Sequence, residues 1–162
     1  VVRYRPSGHY HSHLDSEESS QSNECCQYRK WKSGCTLCRY MTVLYFLNDV
    51  EEGGETAFPI ADNVTADTEV LFGEGRHVLD LGRHCHDANM YYKPKKRAAL
   101  IWYNHKLNPE TGWMGDIDVR SLHGGCNVIK GSKWIANNWI GASRSYSDDI
   151  NMFVKSIFDK SL

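Results

Sequence analysis

Residues 39–50, reading Arg-Tyr-Met-Thr-Val-Leu-Tyr-Phe-Leu-Asn-Asp-Val, constrain the fold more than any other stretch of this chain. The run is nearly continuous in apolar and aromatic side chains. It therefore predicts a strand at the centre of a sheet, buried on both faces. A strand of that kind needs partners, and the sequence offers several. Val1 to Tyr4 and His9 to Asp15 read as extended runs on either side of a Pro6-Ser7-Gly8 turn. A short strand ending at Pro59 follows the turn Glu51–Thr56, and Ala98 to Asn104 reads as another buried strand behind the basic turn Lys93–Arg97. Two more strands fall within residues 121–139. Many short strands with turn signals predict a mainly β chain, a sandwich or jelly roll. At 162 residues it is one domain, large enough to enclose a core and a pocket.

The remaining stretches are less patterned. Residues 16–36 are polar and predict a long loop, residues 60–90 a surface excursion, and residues 105–120 a loop holding Pro109, Gly112 and Gly115. From Asp148 the period changes. Ile150, Phe153, Val154, Ile157 and Phe158 fall on one helical face, Ser147 suits the cap, and Asp148 and Asp149 sit in the first turn. This predicts a C-terminal helix packing on the outside of the sheet.

A net charge of -1 gives no footprint for nucleic acid or an anionic membrane. No apolar run approaches the roughly 20 residues of a membrane helix, and no signal peptide is visible. The chain lacks an initiator Met and opens on Val1-Val2-Arg3-Tyr4. We therefore expect residues 1–162 to be a piece of a longer protein, with any membrane anchor outside it. Six cysteines, at 25, 26, 35, 38, 85 and 126, are many for this length. Disulfides formed in an oxidising lumen are the preferred reading. A zinc knuckle is the rival, although the adjacent pair Cys25-Cys26 is poor spacing for tetrahedral ligation. Asn63-Val64-Thr65 is an N-glycosylation sequon, in keeping with the secretory route.

The chemistry concentrates in two places. In Ser121 to Trp139, His123 precedes a Gly-Gly turn, and Lys133 lies ten positions later in a β-prone run with Trp134, Ile135 and Trp139. A histidine and a lysine on neighbouring strands can face one cavity. Far upstream stands His13-Leu14-Asp15. Residues two apart on a strand point to the same side, so an imidazole and a carboxylate converge. With His123 they make two histidines and one carboxylate, covering one face of an octahedral metal and leaving three positions open. That is the donor set of non-haem Fe(II) oxygenases. The open positions suit a bidentate 2-oxo acid and then dioxygen, and Lys133 could hold the acid's far carboxylate. The plain alternative is a solvated strand face, because His9 and His11 share the parity of His13 and cannot all be ligands.

At this point the chain resembles the prolyl 4-hydroxylases, 2-oxoglutarate- and Fe(II)-dependent dioxygenases, above all their transmembrane, endoplasmic-reticulum branch. The resemblance rests on Arg3-Tyr4, Gly8-His9-Tyr10, His13-Leu14-Asp15, Cys38 to Leu44, Gly53-Gly54-Glu55-Thr56-Ala57-Phe58-Pro59, and Ser121 to Trp139. It implies a double-stranded β-helix, with His13, Asp15 and His123 as iron ligands and Lys133 pairing with the C5 carboxylate of 2-oxoglutarate. It implies that Tyr4 and Thr56 line the same pocket, and that Tyr10, Arg39 and Trp139 line the groove for a proline-containing protein or peptide. The cofactors implied are Fe(II), 2-oxoglutarate, O2 and ascorbate. The reaction implied is hydroxylation of proline at C4, with succinate and carbon dioxide as co-products.

Departures from the family pattern bear on the substrate. Collagen-type members usually carry Pro after the Gly-Cys of the distal motif, where this chain has Asn127. They carry Lys before the last Trp and His two residues after it, where this chain has Asn138 and Gly141. The transmembrane branch, which shares Asn138-Trp139, is associated with hypoxia-inducible-factor-type substrates. Three rival readings compete with this resemblance. A lysyl hydroxylase would carry Arg at the position of Lys133. A zinc hydrolase could use His11-x-His13-x-Asp15, but its motif continues with a second His where this chain has Ser16. A catalytically silent peptide-binding module would be expected to have lost a ligand, and none is missing.

Overall fold

The structure, a computed structural model, describes residues 1–16, 37–61, 73–143, 146–147 and 150–151. Among them are twelve strands: β1 (Val2–Tyr4), β2 (Tyr10–His13), β3 (Leu37–Phe46), β4 (Glu52–Gly53), β5 (Thr56–Phe58), β6 (Met90–Tyr92), β7 (Ala99–Tyr103), β8 (His105–Leu107), β9 (Met114–Ile117), β10 (His123–Gly125), β11 (Val128–Lys130) and β12 (Lys133–Ser143). Two four-stranded sheets run in the orders β1-β12-β3-β7 and β2-β10-β5-β6, with two-stranded ribbons β11-β4 and β8-β9. This is the jelly-roll, double-stranded β-helix arrangement expected from the turn-punctuated short strands.

The run that opened the sequence reading is an interior strand, β3, as expected, but it is not covered on both faces throughout. Thr42, Leu44 and Phe46 share one side and are buried, while Tyr45 and Leu47 on the other are 42% exposed. In a two-layer fold each sheet has only one partner layer, so the far face is only partly covered. The same reasoning corrects β7. It was expected to be a buried strand, yet it is the edge of its sheet. Only Trp102 of its residues is fully buried, and Ile101 is 62% exposed.

Contacts divide the chain into two units. The first comprises Val1–Asp15, Thr42–Trp102 and Val119–Asn138. Its core joins side chains of both sheets: Leu44, Phe46, Trp102 and Ile135 meet Phe58 and Ala61, flanked by Tyr4 and Tyr92. Burying each such large apolar side chain is worth about 1.5–3 kcal/mol. A smaller cluster packs Ala57, Leu81, Ala88 and Cys126. Leu81 is fully buried, so the segment of 3-10 turns at Glu74–Leu79 and Cys85–Asp87 is pinned to the core and is more than the surface excursion expected there. A disulfide between Cys85 and Cys126 fastens it.

The second unit comprises Ser16–Met41, Tyr103–Asp118 and Trp139–Leu162. Its described core is Cys38 and Met114, with Tyr40 and Ala142 packed against them. Residues 105–120, expected as a loop, contain the antiparallel hairpin β8–β9. Its tip is closed by Asn108, whose Oδ1 accepts hydrogen bonds from the backbone N–H of Glu110 and Thr111. That Asx-type closure was legible as turn chemistry. The strands beside it were not, because three or four residues each give no readable period.

No cysteine among the described residues is free, and Cys38 is disulfide-bonded, in line with the disulfide reading. Cys25, Cys26, Cys35, the long polar loop and the Asn63 sequon lie outside the described residues. Tyr146, Ser147, Ile150 and Asn151 are helical, and the rest of the expected C-terminal helix lies outside the described residues. No described helix is long and apolar enough to cross a membrane.

Candidate active site

β10 lies between β2 and β5 and runs antiparallel to both. The β2 register sets His123 opposite His13. Glycine follows His123 for a packing reason: a Cβ on Gly124 would sit 2.6 Å from the Tyr10 carbonyl oxygen and 2.8 Å from Leu81 Cδ1. Asp15 lies just past the end of β2, in a bend and not on the strand itself. The expectation that His13 and Asp15 converge holds, though a bend completes what strand alternation begins.

The two imidazoles are oriented alike. His13 Nδ1 donates to the His11 carbonyl at 2.9 Å, and His123 Nδ1 donates to the Ser121 carbonyl at 2.8 Å. A carbonyl only accepts, so the proton of each neutral ring is on Nδ1 and each Nε2 keeps its lone pair. Both Nε2 atoms face the carboxylate: His13 lies 3.6 Å from Asp15 Oδ1, and His123 lies 3.7 Å from Asp15 Oδ2. One donor atom from each residue falls within 4.8 Å of the other two. Two imidazole nitrogens and one carboxylate, with their outer nitrogens tied to backbone carbonyls, fit a divalent transition metal such as Fe(II).

The electrostatics agree with that fit. Burial pushes the His123 imidazole down to about 4, against the opposing pull of the Asp15 charge. Burial would raise the Asp15 carboxyl, but attraction to the adjacent His13 and His123 rings and the Thr42 hydrogen bond together hold it well below the usual carboxylate range. A neutral imidazole and an ionised carboxylate are the forms that bind metal. Around His123 stand Trp102, with ring centroids 4.5 Å apart, and Phe58 at 5.7 Å, which keep this end apolar.

Lys133 opens β12, and its partner across the β1 register is Tyr4. Its side chain is buried (3% exposed). The ammonium donates to Thr56 Oγ1 at 3.1 Å and to the Glu55 carbonyl at 3.4 Å, and lies 5.8 Å from the centre of the Tyr4 ring. Burial pushes its pKa down to about 8, with the Glu55 charge opposing. Among the described residues no carboxylate lies at ion-pair distance. A buried cation held, among the described residues, by a hydroxyl, a carbonyl and the rings of Tyr4 and Phe46 is an anion-binding position. Tyr4 and Thr56 are therefore brought to Lys133.

The other predicted positions are distributed. Tyr10 sets its ring edge-on to His13, 4.4 Å between centroids. Arg39 and Trp139 belong to the second unit, where the guanidinium carbon lies 3.9 Å from the centre of the indole. His11 points to Asp80, at 3.9 Å, and is absent from the metal-binding group, so the His-x-His-x-Asp run of a zinc hydrolase is not assembled. The sequence reading missed Thr42, whose hydroxyl donates to Asp15 Oδ2 at 2.6 Å. A signal was available: Thr42 shares the parity of Leu44 and Phe46 in the most apolar run of the chain, where a hydroxyl needs a reason. It also missed the pairing of Cys85 with Cys126, for which no sequence signal exists.

A β-sandwich holding two histidines, a carboxylate and a buried lysine defines the class of mononuclear non-haem metal enzymes that take an anionic co-substrate. Residues 1–141 match the family model of the 2OG-Fe(II) oxygenase superfamily. The transmembrane prolyl 4-hydroxylase of Homo sapiens is 46% identical over 149 residues, covering 90% of this chain and 30% of that protein. Prolyl 4-hydroxylase 13 of Arabidopsis thaliana is 35% identical over 142 residues, covering 86% of this chain and 41% of that protein. Among solved structures, the viral collagen prolyl hydroxylase of Paramecium Bursaria Chlorella virus-1, in its 2OG complex, aligns with a TM-score of 0.54 at 25% identity, covering 86% of this chain and 55% of that one. The chain belongs to the 2OG-Fe(II) oxygenase superfamily, within its prolyl 4-hydroxylase family and on the side of the transmembrane members. It spans less than half the length of these curated relatives.

Proposed function

We propose that this chain is the catalytic domain of a peptidyl-prolyl 4-hydroxylase. The observation that carries the reading is the pairing of a two-histidine, one-carboxylate cluster with a buried, uncompensated Lys133. His13, Asp15 and His123 would hold Fe(II) through Nε2, a carboxylate oxygen and Nε2. Lys133 would hold the C5 carboxylate of 2-oxoglutarate as a point charge, with the Thr56 hydroxyl and Tyr4 beside it. When bound, Fe(II) and 2-oxoglutarate supply the oxidising chemistry: dioxygen is consumed, 2-oxoglutarate leaves as succinate and carbon dioxide, and one oxygen atom enters the C4–H bond of proline. The protein's own part is to orient and to exclude water. The Nδ1 hydrogen bonds to His11 and Ser121 fix the imidazole faces, and Trp102 and Phe58 keep water from His123. Ascorbate is the proposed reductant that keeps the metal ferrous.

Tyr10, Arg39 and Trp139 are proposed contacts for a proline-containing protein or peptide. The Asn127, Asn138 and Gly141 departures favour a substrate other than collagen-like repeats, with hypoxia-factor segments as the first candidates. Disulfide use supports an oxidising compartment, and the human and mouse relatives are named as transmembrane proteins; the proposed location is the lumen of the endoplasmic reticulum, with any membrane anchor outside residues 1–162. The test uses the full-length protein with Fe(II), 2-oxoglutarate and ascorbate. Succinate release and the gain of one oxygen atom on proline are measured on collagen-like and hypoxia-factor peptides. The reading fails if no proline peptide supports turnover while His13→Ala, Asp15→Ala and His123→Ala bind metal as well as the parent.

A further inference from the structure

Thr42 is fully buried in the middle of β3, on the side that carries Leu44 and Phe46 into the core. At that place a valine would satisfy the strand and the packing equally well, because it has nearly the same shape and no polar atom to bury. Burying a hydroxyl is unfavourable unless it is hydrogen-bonded. Here the hydroxyl donates to Asp15 Oδ2 at 2.6 Å, a short bond between two buried side chains 27 positions apart in sequence. The β-branched side chain leaves Thr42 few rotamers, so the donor is held in place by the strand and not recruited by the carboxylate.

We infer that Thr42 is a positioning residue that sets how Asp15 binds the metal: by occupying Oδ2 it commits the carboxylate to a single donor oxygen. The inference rests on the proposed metal site. Its physical content is a competition for lone pairs. A carboxylate bound through both oxygens takes two positions around an octahedral ion, leaving two of six where the reaction needs three: two for the 2-oxo acid and one for dioxygen. A hydroxyl donating to Oδ2 withdraws electron density from that oxygen and fixes the plane of the carboxylate, which disfavours the second metal–oxygen bond. The two oxygens lie about equally close to the imidazoles, Oδ1 at 3.6 Å from His13 Nε2 and Oδ2 at 3.7 Å from His123 Nε2; the Thr42 bond to Oδ2 is what distinguishes them, and it assigns Oδ1 to the metal. The two imidazoles need no such control, since each offers one nitrogen. The carboxylate is the single member of the set with a choice, and it is the member that receives a side-chain hydroxyl.

The experiment compares Thr42→Val, which keeps the shape and removes the hydroxyl, with Thr42→Ser, which keeps the hydroxyl and removes the methyl. Full-length proteins are titrated with Co(II) alone, and the d–d absorption band, whose position and intensity report coordination number, is recorded before and after adding 2-oxoglutarate. Thr42→Val is expected to bind Co(II) about 10- to 100-fold more weakly, the usual effect of removing an outer partner of a ligand. Its spectrum should be altered, its 2-oxoglutarate affinity reduced, and its metal-free melting temperature lowered, because the buried Asp15 carboxylate loses a hydrogen bond. Thr42→Ser should restore the parent spectrum and stay within about threefold in affinity. If Val at this position disturbs packing, Thr42→Ala gives the same comparison with a smaller side chain. A Thr42→Val protein with the parent's Co(II) spectrum and affinity overturns the inference, as does a folded Thr42→Ser protein as impaired as Thr42→Val. A parent protein that binds Co(II) no better than His123→Ala would instead overturn the metal site itself, so the two failures are distinct.

Discussion

The first unit buries two charged groups and treats them in opposite ways. At the metal end, Asp15 is almost wholly enclosed, yet a hydrogen bond from Thr42 and the neighbouring His13 and His123 hold it ionised. At the other end, Lys133 is as deeply enclosed and receives much less. Thr56 and the Glu55 carbonyl accept its hydrogen bonds, and burial drives its pKa down to about 8. One charge is compensated from within the protein; the other has no carboxylate at ion-pair distance among the described residues. The difference teaches which end the chain completes by itself and which end waits for a partner. The metal end is built from the chain's own groups in the protonation states that ligation requires. The lysine end is a cation in a site from which water is removed, and such a site is stabilised by an incoming carboxylate.

The comparison can be broken most directly at the metal end. His13→Ala, Asp15→Ala and His123→Ala are each expected to abolish Fe(II)-dependent succinate release, because each removes one of only three protein donors. Equal activity in any of them sinks the cluster. At the lysine end, Lys133→Ala should leave metal binding intact and weaken 2-oxoglutarate by about 2–5 kcal/mol, roughly 30-fold to several thousandfold in KM, measured by initial rates at saturating peptide. A variant that loses kcat alone would say that Lys133 does not hold the acid.

Cys85 and Cys126 bind the flanking segment to the chain just after His123. Replacing both with Ser should lower stability by about 2–4 kcal/mol, read from the urea midpoint under non-reducing conditions. A midpoint unmoved by the double replacement would show that the buried Leu81 holds the segment unaided.

The lysine end also predicts a pH dependence. A lysine whose folded pKa is depressed is charged only below that value, so acid binding is complete below about pH 8 and weakens as pH rises through it. KM for 2-oxoglutarate should then climb by up to roughly tenfold per pH unit, and Lys133→Arg, which stays charged, should flatten the climb. A profile of the same shape in both proteins would assign the titration elsewhere. The smallest effects are expected in the second unit. Arg39→Ala or Trp139→Ala removes a cation–π contact worth about 0.5–2 kcal/mol and should raise the peptide KM a few-fold without changing peptide-independent consumption of 2-oxoglutarate.

Much of the first unit was legible in the residues. The spacing of His13 and Asp15, the glycines after His123 and the lysine ten positions on each state a local requirement that sequence can carry: two side chains on one face, a close backbone approach, a charge on a strand. The short hairpin β8–β9 was not legible, because its strands are too brief to show alternation. Nor was the exposure of Tyr45, Leu47 and Ile101, since an apolar run reads the same whether one layer or two will cover it. Leu81 looked like part of a surface excursion, because nothing near it announces that Gly124 leaves a place for it.

Covalent order alone carries the chemistry on offer and the kind of sheet that presents it. Ligand types, their spacing and turn residues are set by covalent order, and the β period follows from side-chain shape. Only the tertiary structure decided which groups complete one another across that order. It set Thr42 against Asp15, joined Cys85 to Cys126, placed no described carboxylate at ion-pair distance from Lys133, and turned His11 away from the metal. Each of these depends on residues distant in sequence being brought within a few ångströms, and hydrogen bonding, charge compensation and desolvation act only at that range.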